Sequence, residues 1–360
     1  MRVRFKLWVM LVVCIAGGVE RLRGEEAELW SNGDGKTVKI SEDGNPVLVY
    51  QIEETSLDGK WPRAGYVHPL YDLNGEVMTE DFPDDHKHHR GVFWAWHHLS
   101  VGDLILGDPW LCKDFVRQCV QSTQRVIQVR GEQCIGIELE TLWKSPLLKD
   151  LNAEMLPIVE ERARIIIHPR TARQRLIDFD ISLTAMLRDV RIGGSDDVKG
   201  YGGFSPRIKL NSKQVFRFES GEVEPTKLAI QGGPWVDISD QKRGLTIMTH
   251  PENPVANRSS QTPEAVANES EAVAKESEAV ANESEAVANE SETAGQDDQQ
   301  SRLWILRRKR SMQNAVYPGR TPVPLSRDTA TRLRYRVVVH DGQLSAESLQ
   351  AIYNDFAADE

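Results

Sequence analysis

From Ile177 to Leu183 apolar and polar residues alternate: Ile177, Phe179, Ile181 and Leu183 share one face, and Asp178, Asp180 and Ser182 the other. A period of two marks a half-buried strand. Ala163 to His168 is its natural partner. Arg125 to Arg130 and Cys134 to Trp143 pair across Gly131-Glu132. Thr37 to Ile52 folds back at Glu42-Asp43-Gly44-Asn45-Pro46, and Tyr66 to Tyr71 meets Glu76 to Thr79 through Asn74-Gly75. Shorter strands are expected at Val92 to Leu99, Arg207 to Leu210, Gln214 to Glu219, Trp235 to Ile238, Leu245 to Thr249 and Leu333 to His340. One stretch has the helical period instead. Leu349, Ile352, Tyr353 and Phe356 form a stripe, Ser345 stands ready as a cap and Glu347 suits the positive end. Many antiparallel strands without βα alternation predict an all-β chain: one large antiparallel β-sandwich over residues 25–360 with a C-terminal helix.

Two stretches break this pattern. Arg2, Arg4 and Lys6 precede an apolar run from Leu7 to Ile15, followed by Ala16-Gly17-Gly18. This predicts a signal peptide over 1–24, cleaved within 16–24. Glu20, Arg21 and Arg23 end the run too early for a membrane span. The expected location is periplasmic or extracellular, with no stable membrane insertion once the signal is removed. The second break is 256–301, where Glu264 to Ser291 repeats a heptad four times, EAVANES with one EAVAKES. Its apolar residues are contiguous rather than three and four apart, so no coiled-coil seam forms and a disordered acidic insertion is expected.

Charge follows from the insertion. The chain carries a net −10, and residues 264–298 hold nine Glu, two Asp and one Lys. The remainder is near neutral, which excludes nucleic acid as a partner. The run Arg307-Arg308-Lys309-Arg310 reads as a solvated strand end. Past the signal only Cys112, Cys119 and Cys134 remain, an odd number that does not staple a fold.

Chemistry concentrates in Met78 to Leu99, which holds five of the nine histidines, four carboxylates, Arg90 and two tryptophans. Three readings compete. In a sugar cleft, His88 and His89 are the acid–base pair, Glu80 or Asp85 orients them, Arg90 anchors a hydroxyl or carboxylate, and Trp94 is the stacking platform. In a metal site, His86, His88 and His97 are the ligands of an oxygenase or hydrolase. His-x-His also opens the cupin metal motif, but Arg90 to Leu99 supplies no carboxylate to complete it. In a non-catalytic sugar-binding module the histidines only hydrogen-bond. The cofactor is accordingly none or a divalent metal, and the expected ligand a carbohydrate or sugar-derived small molecule. His68, Asp81, Tyr201, Arg207, His250 and Asn253 are further candidates for the same cleft.

The segments HPLYDLNGEVMTEDFPDDHKHHRGVFWAWHH, KGYGGFSPR, THPENP and LRYRVVVHDG resemble the secreted bacterial family whose members are often labelled "methane oxygenase PmoA". The likeness runs from about Trp30 to Phe356 apart from the insertion. It implies a β-sandwich similar to the galactose-mutarotase supersandwich. Its motif positions fall here on His68, Glu80, Asp81, His86, His88, His89, Arg90, Trp94, Tyr201, Gly202, Gly203, Arg207, His250 and Asn253. A genuine PmoA subunit crosses the membrane with several helices, and this sequence has no such segment after its signal. The resemblance therefore implies a shape of site rather than methane oxidation. The leading expectation is an epimerase, lyase or hydrolase acting on a sugar.

Overall fold

The computed structural model describes residues 2–4, 28–256 and 302–359. The expected signal peptide, apart from 2–4, and the heptad insertion lie outside the described residues. Two large antiparallel sheets dominate. The first runs Arg2–Arg4, Glu28–Gly33, Thr37–Glu42, Asn45–Gln51, Tyr66–Leu70, Val92–Trp96, Gly202–Pro206, Asn314–Val316, Arg302–Ile305, Ile230–Gly232. The second runs Val116–Val129, Glu132–Lys149, Met155–Ile167, Gln174–Ala185, Thr331–Asp341, Arg243–Thr249, Trp235–Ser239, Val215–Phe218, Gly221–Glu222. The chain is thus all-β and sandwich-like, as the alternation predicts.

The two sheets meet through the faces that the pattern marks apolar. Ile177, Phe179, Ile181 and Leu183 are buried in one continuous core with Trp94, Trp96 and Phe204 of the first sheet. Trp94 stands edge-on to Phe179 at 6.3 Å, and Phe204 stacks on Tyr335 at 4.4 Å. One carboxylate sits inside this apolar layer. Glu161 is fully buried and accepts from the indoles of Trp94 (3.0 Å) and Trp143 (2.8 Å) and from the Arg117 guanidinium.

A smaller sheet of four strands orders Leu104–Gly107, His98–Val101, Val190–Gly193 and Val323–Pro324. The expected strand Val92 to Leu99 is therefore two strands: the chain leaves the first sheet after Trp96 and enters the small one at His98. Similarly, Arg207 to Leu210 is reduced to isolated bridges at Arg207 and Ile208 that continue Gly202–Pro206. The helix Ala346–Ala357 forms as expected, with the Ser345 hydroxyl accepting from the Ser348 amide. Leu349, Tyr353 and Phe356 pack on Trp235, Met248 and Val338 of the second sheet. Cys112, Cys119 and Cys134 are all free thiols.

Candidate functional site

The histidines sit on a loop clasped at its base. Asp81 and Arg90 form a backbone bridge, and their side chains form an ion pair. Arg90 is fully buried and saturated: it also donates to the carbonyls of Thr55 and Trp61 (3.1 Å each), to the Thr55 hydroxyl and to the Tyr66 phenol, and its guanidinium lies 3.4 Å from the centre of the Phe82 ring. Gly91 closes the loop with φ +52°, and a β-carbon there would stand 2.0 Å from the Val67 carbonyl oxygen, so only glycine fits. Arg90 is therefore the clasp and not the anchor for a ligand.

A second guanidinium fastens the loop from outside. Arg207, 3% exposed, bridges Glu80 (2.6 Å) and Asp85 (2.7 Å), and through Nη1 donates to the Arg310 carbonyl (2.6 Å) and to Nδ1 of His89 (3.1 Å). Arginine only donates, so a neutral His89 must carry its proton on Nε2. His86 is the opposite tautomer. In a neutral His86 the Nδ1–H donates to Asp85 Oδ2 at 3.0 Å and the lone pair sits on Nε2. The two rings stack with centroids 4.8 Å apart, and His88 stands edge-on to both at 5.5 and 4.5 Å.

These rings open into a cleft of about 370 Å³ that His97, Trp110 and Tyr201 also line. His97 stacks on Trp110 at 5.3 Å and donates a hydrogen bond from Nδ1 to Asp108 at 2.9 Å, a second aspartate-oriented imidazole facing the same space. Arg307 donates to the Tyr201 phenol at 2.8 Å, which leaves the phenol's own proton free. The basic run is thus not merely a solvated end. Lys199, Arg307 and Arg310 line the cleft against one acid, Asp197, which Lys199 already pairs at 2.7 Å.

Burial sets the protonation. It pushes His88 down to about 3, helped by the cation of Arg63, and it drives His89 well below the ordinary histidine range, helped by the charges of His88 and Arg207. Asp85 is held below the usual carboxylate range: burial pushes it up, but the hydrogen bonds from His86 and Arg207 outweigh that. Burial also lowers His68, and takes His250 down to about 4. For all four histidines the folded value lies below the unfolded value near 6.5. Between the two the unfolded chain binds protons that the folded chain refuses, so stability rises with pH across that window. The melting temperature is expected to be level above about pH 6.5 and to fall steadily toward pH 4. A scanning-calorimetry profile flat across that interval would contradict these assignments.

The other expected residues divide by place. His68, Glu80, Asp81 and Asp85 line a shallow hollow on the adjoining side of the loop, with His68 Nδ1 2.9 Å from the Thr79 hydroxyl. Trp94 is not the platform. Its strand is buried on both faces, and the tryptophan face turns into the sandwich while Phe93 and Ala95 pack beneath the cleft beside Trp110. His250 and Asn253 stand elsewhere: His250 packs against Phe356 of the C-terminal helix, and Asn253 exchanges hydrogen bonds with the Arg334 backbone. The metal set is not assembled, because among the described residues no three His, Cys, Asp or Glu are placed to hold an ion. His86 and His97 are each turned onto an aspartate instead. Trp110, 3% exposed, is a cleft-wall residue that the pattern does not flag; its one signal is an aromatic set beside the polar turn Gly107-Asp108-Pro109.

One further row has catalytic order without catalytic chemistry. Cys134 Sγ lies 3.5 Å from His168 Nδ1, and His168 Nε2 lies 2.8 Å from Asp178. Burial pushes that thiol up to about 12, so it stays protonated and the row is a packing device.

Among the described residues no helix is long and apolar enough to cross a membrane. No curated protein matches the chain. A family of unknown function, DUF6807, matches residues 37–294, a span that takes in the histidine loop, Trp110, Tyr201 and Arg207. The chain belongs to that family.

Proposed function

We propose that this is an exported carbohydrate-active protein whose cleft performs proton transfer on a sugar, as an epimerase, lyase or hydrolase does. One observation carries the reading: His86 and His89 stack in the same cleft as opposite tautomers. His86, oriented by Asp85, offers a lone pair that can remove a proton. His89, kept neutral, offers an Nε2–H to the oxygen on which charge then develops. A neutral imidazole donates to such an oxygen without surrendering its proton, so the pair suits abstraction beside a carbonyl or carboxylate. Tyr201, half-buried on the cleft wall beside the buried Trp110, supplies the apolar surface for a sugar's C–H face. The excess of basic residues on the cleft favours uronates over neutral sugars.

The test is calorimetry against neutral sugars, keto-sugars and uronates, followed by proton NMR in deuterium oxide on whatever binds. The wild type is expected to exchange a carbon-bound proton or to turn the sugar over. His86→Gln should slow that step by about 10²–10⁴-fold while binding changes little. Failure of every sugar class to bind would end the proposal, and binding without exchange or turnover would make the protein a binding module.

A further inference from the structure

Behind Trp110 lies a second, much smaller cavity of about 20 Å³, bordered by Arg63, Arg117, Cys112, Trp94 and Trp143, with Glu54 also on its wall. That is room for one water or one small ion. We propose that it holds a monovalent, halide-sized anion.

The argument begins with charge. Arg63 is 5% exposed, and its guanidinium is held by neutral groups alone: Nη2 donates to the carbonyls of Trp110 (2.6 Å) and Pro109 (3.3 Å), and the head lies 4.4 Å over the Phe93 ring. Its Nε is buried without a partner, and so is the Nε of Arg117. The neighbouring guanidiniums are neutralised, Arg90 by Asp81 and Arg117 by Glu161. Arg63 has no carboxylate within ion-pair distance among the described residues, which leaves one buried positive charge uncompensated. Such a charge is costly to keep in an apolar wall.

Cys112 does not supply the missing negative charge, since burial raises its thiol and keeps it protonated. Glu54 is exposed and forms no ion pair among the described residues. A water would satisfy hydrogen bonds there but not the charge. An anion satisfies both, and the tiny volume excludes phosphate, sulfate and sugar acids. The indole and phenyl walls of Trp94, Trp143 and Phe115 favour weakly hydrated chloride or bromide over fluoride. Arg63 also holds the Trp110 backbone, so an occupied site steadies the floor of the histidine cleft from behind.

Bromide is the probe. Crystals of the wild-type protein soaked in sodium bromide should show an anomalous peak within reach of Arg63 and Arg117. The melting temperature should rise with chloride concentration and level off, and should not rise in sodium gluconate of equal ionic strength. Glu54→Gln should keep or enlarge the chloride response, and Arg63→Met should abolish it. The bromide peak and the Glu54→Gln response decide the matter even if Arg63→Met fails to fold. Absence of the peak together with equal melting temperatures in the two salts would overturn the proposal. A chloride response that appears only in Glu54→Gln would overturn it too, by making Glu54 the counter-charge.

Discussion

Glu161→Leu is expected to destabilise the protein by about 4–5 kcal/mol. Glu161 lies between the sheets with no exposure, and its carboxylate gathers the Arg117 guanidinium and two indole N–H groups. Leucine fills the volume but strands a cation and two donors in the apolar layer. A typical domain has only about 5–15 kcal/mol in hand, so the loss is a large share of the whole. Urea denaturation measures it directly. The double variant Glu161→Leu with Arg117→Met should recover much of the loss, because the penalty lies in the stranded charge and not in the missing pair. A double variant as unstable as the single one would show instead that the ion pair itself holds the sheets together.

The second large effect is at Arg207. Arg207→Met removes the group that joins Glu80, Asp85, His89 and the Arg310 carbonyl. Both carboxylates are about a third exposed, with side chains at 32%, and can rehydrate. The expected cost is accordingly about 2–3 kcal/mol, less than for a fully buried partner. The distinguishing readout is the His89 tautomer. Nitrogen-15 shifts should show Nε2–H alone in the wild type and a mixture in the variant, since nothing then donates to Nδ1. Arg207→Lys should not restore the wild-type pattern, because a point-like ammonium cannot span acceptors that a planar fork reaches together. An unchanged tautomer in Arg207→Met would remove Arg207 from its role as the positioning residue.

The fold was largely legible, and the reason is periodicity. Ile177, Phe179, Ile181 and Leu183 face inward as their spacing says, and the Ser345 cap and apolar stripe give the helix. A period states which residues share a face, however, and not which face becomes the core. Val92–Trp96 is buried on both sides, so Trp94 and Trp96 fell on the sandwich side while His97 reached the cleft. The histidine loop was legible because its residues are contiguous. Trp110, Lys199 and Arg307 come from three distant segments, and only the folded chain brings them to the same space. Arg90 and Arg207 show the opposite difficulty: a buried, saturated arginine and a ligand-binding one have the same sequence context. His250 and Asn253 likewise lie in a polar strand exit whose partners, Phe356 of the C-terminal helix and the Arg334 backbone, come from far later in the chain.

The clasp of Asp81 and Arg90 bears on how such proteins diversify. His86, His88 and His89 all belong to one short loop that is pinned at its neck, and the guanidinium of Arg207 ties it to the sandwich beyond. His89 rests on Phe93 and the neck on Tyr66 and Val67, but His86 and His88 are half-buried on the cleft wall. At those two positions chemistry and scaffold are separately mutable. Under the proposed function, descendants of one ancestral chain can exchange these two rings, and with them the sugar acted upon, while inheriting the sandwich unchanged.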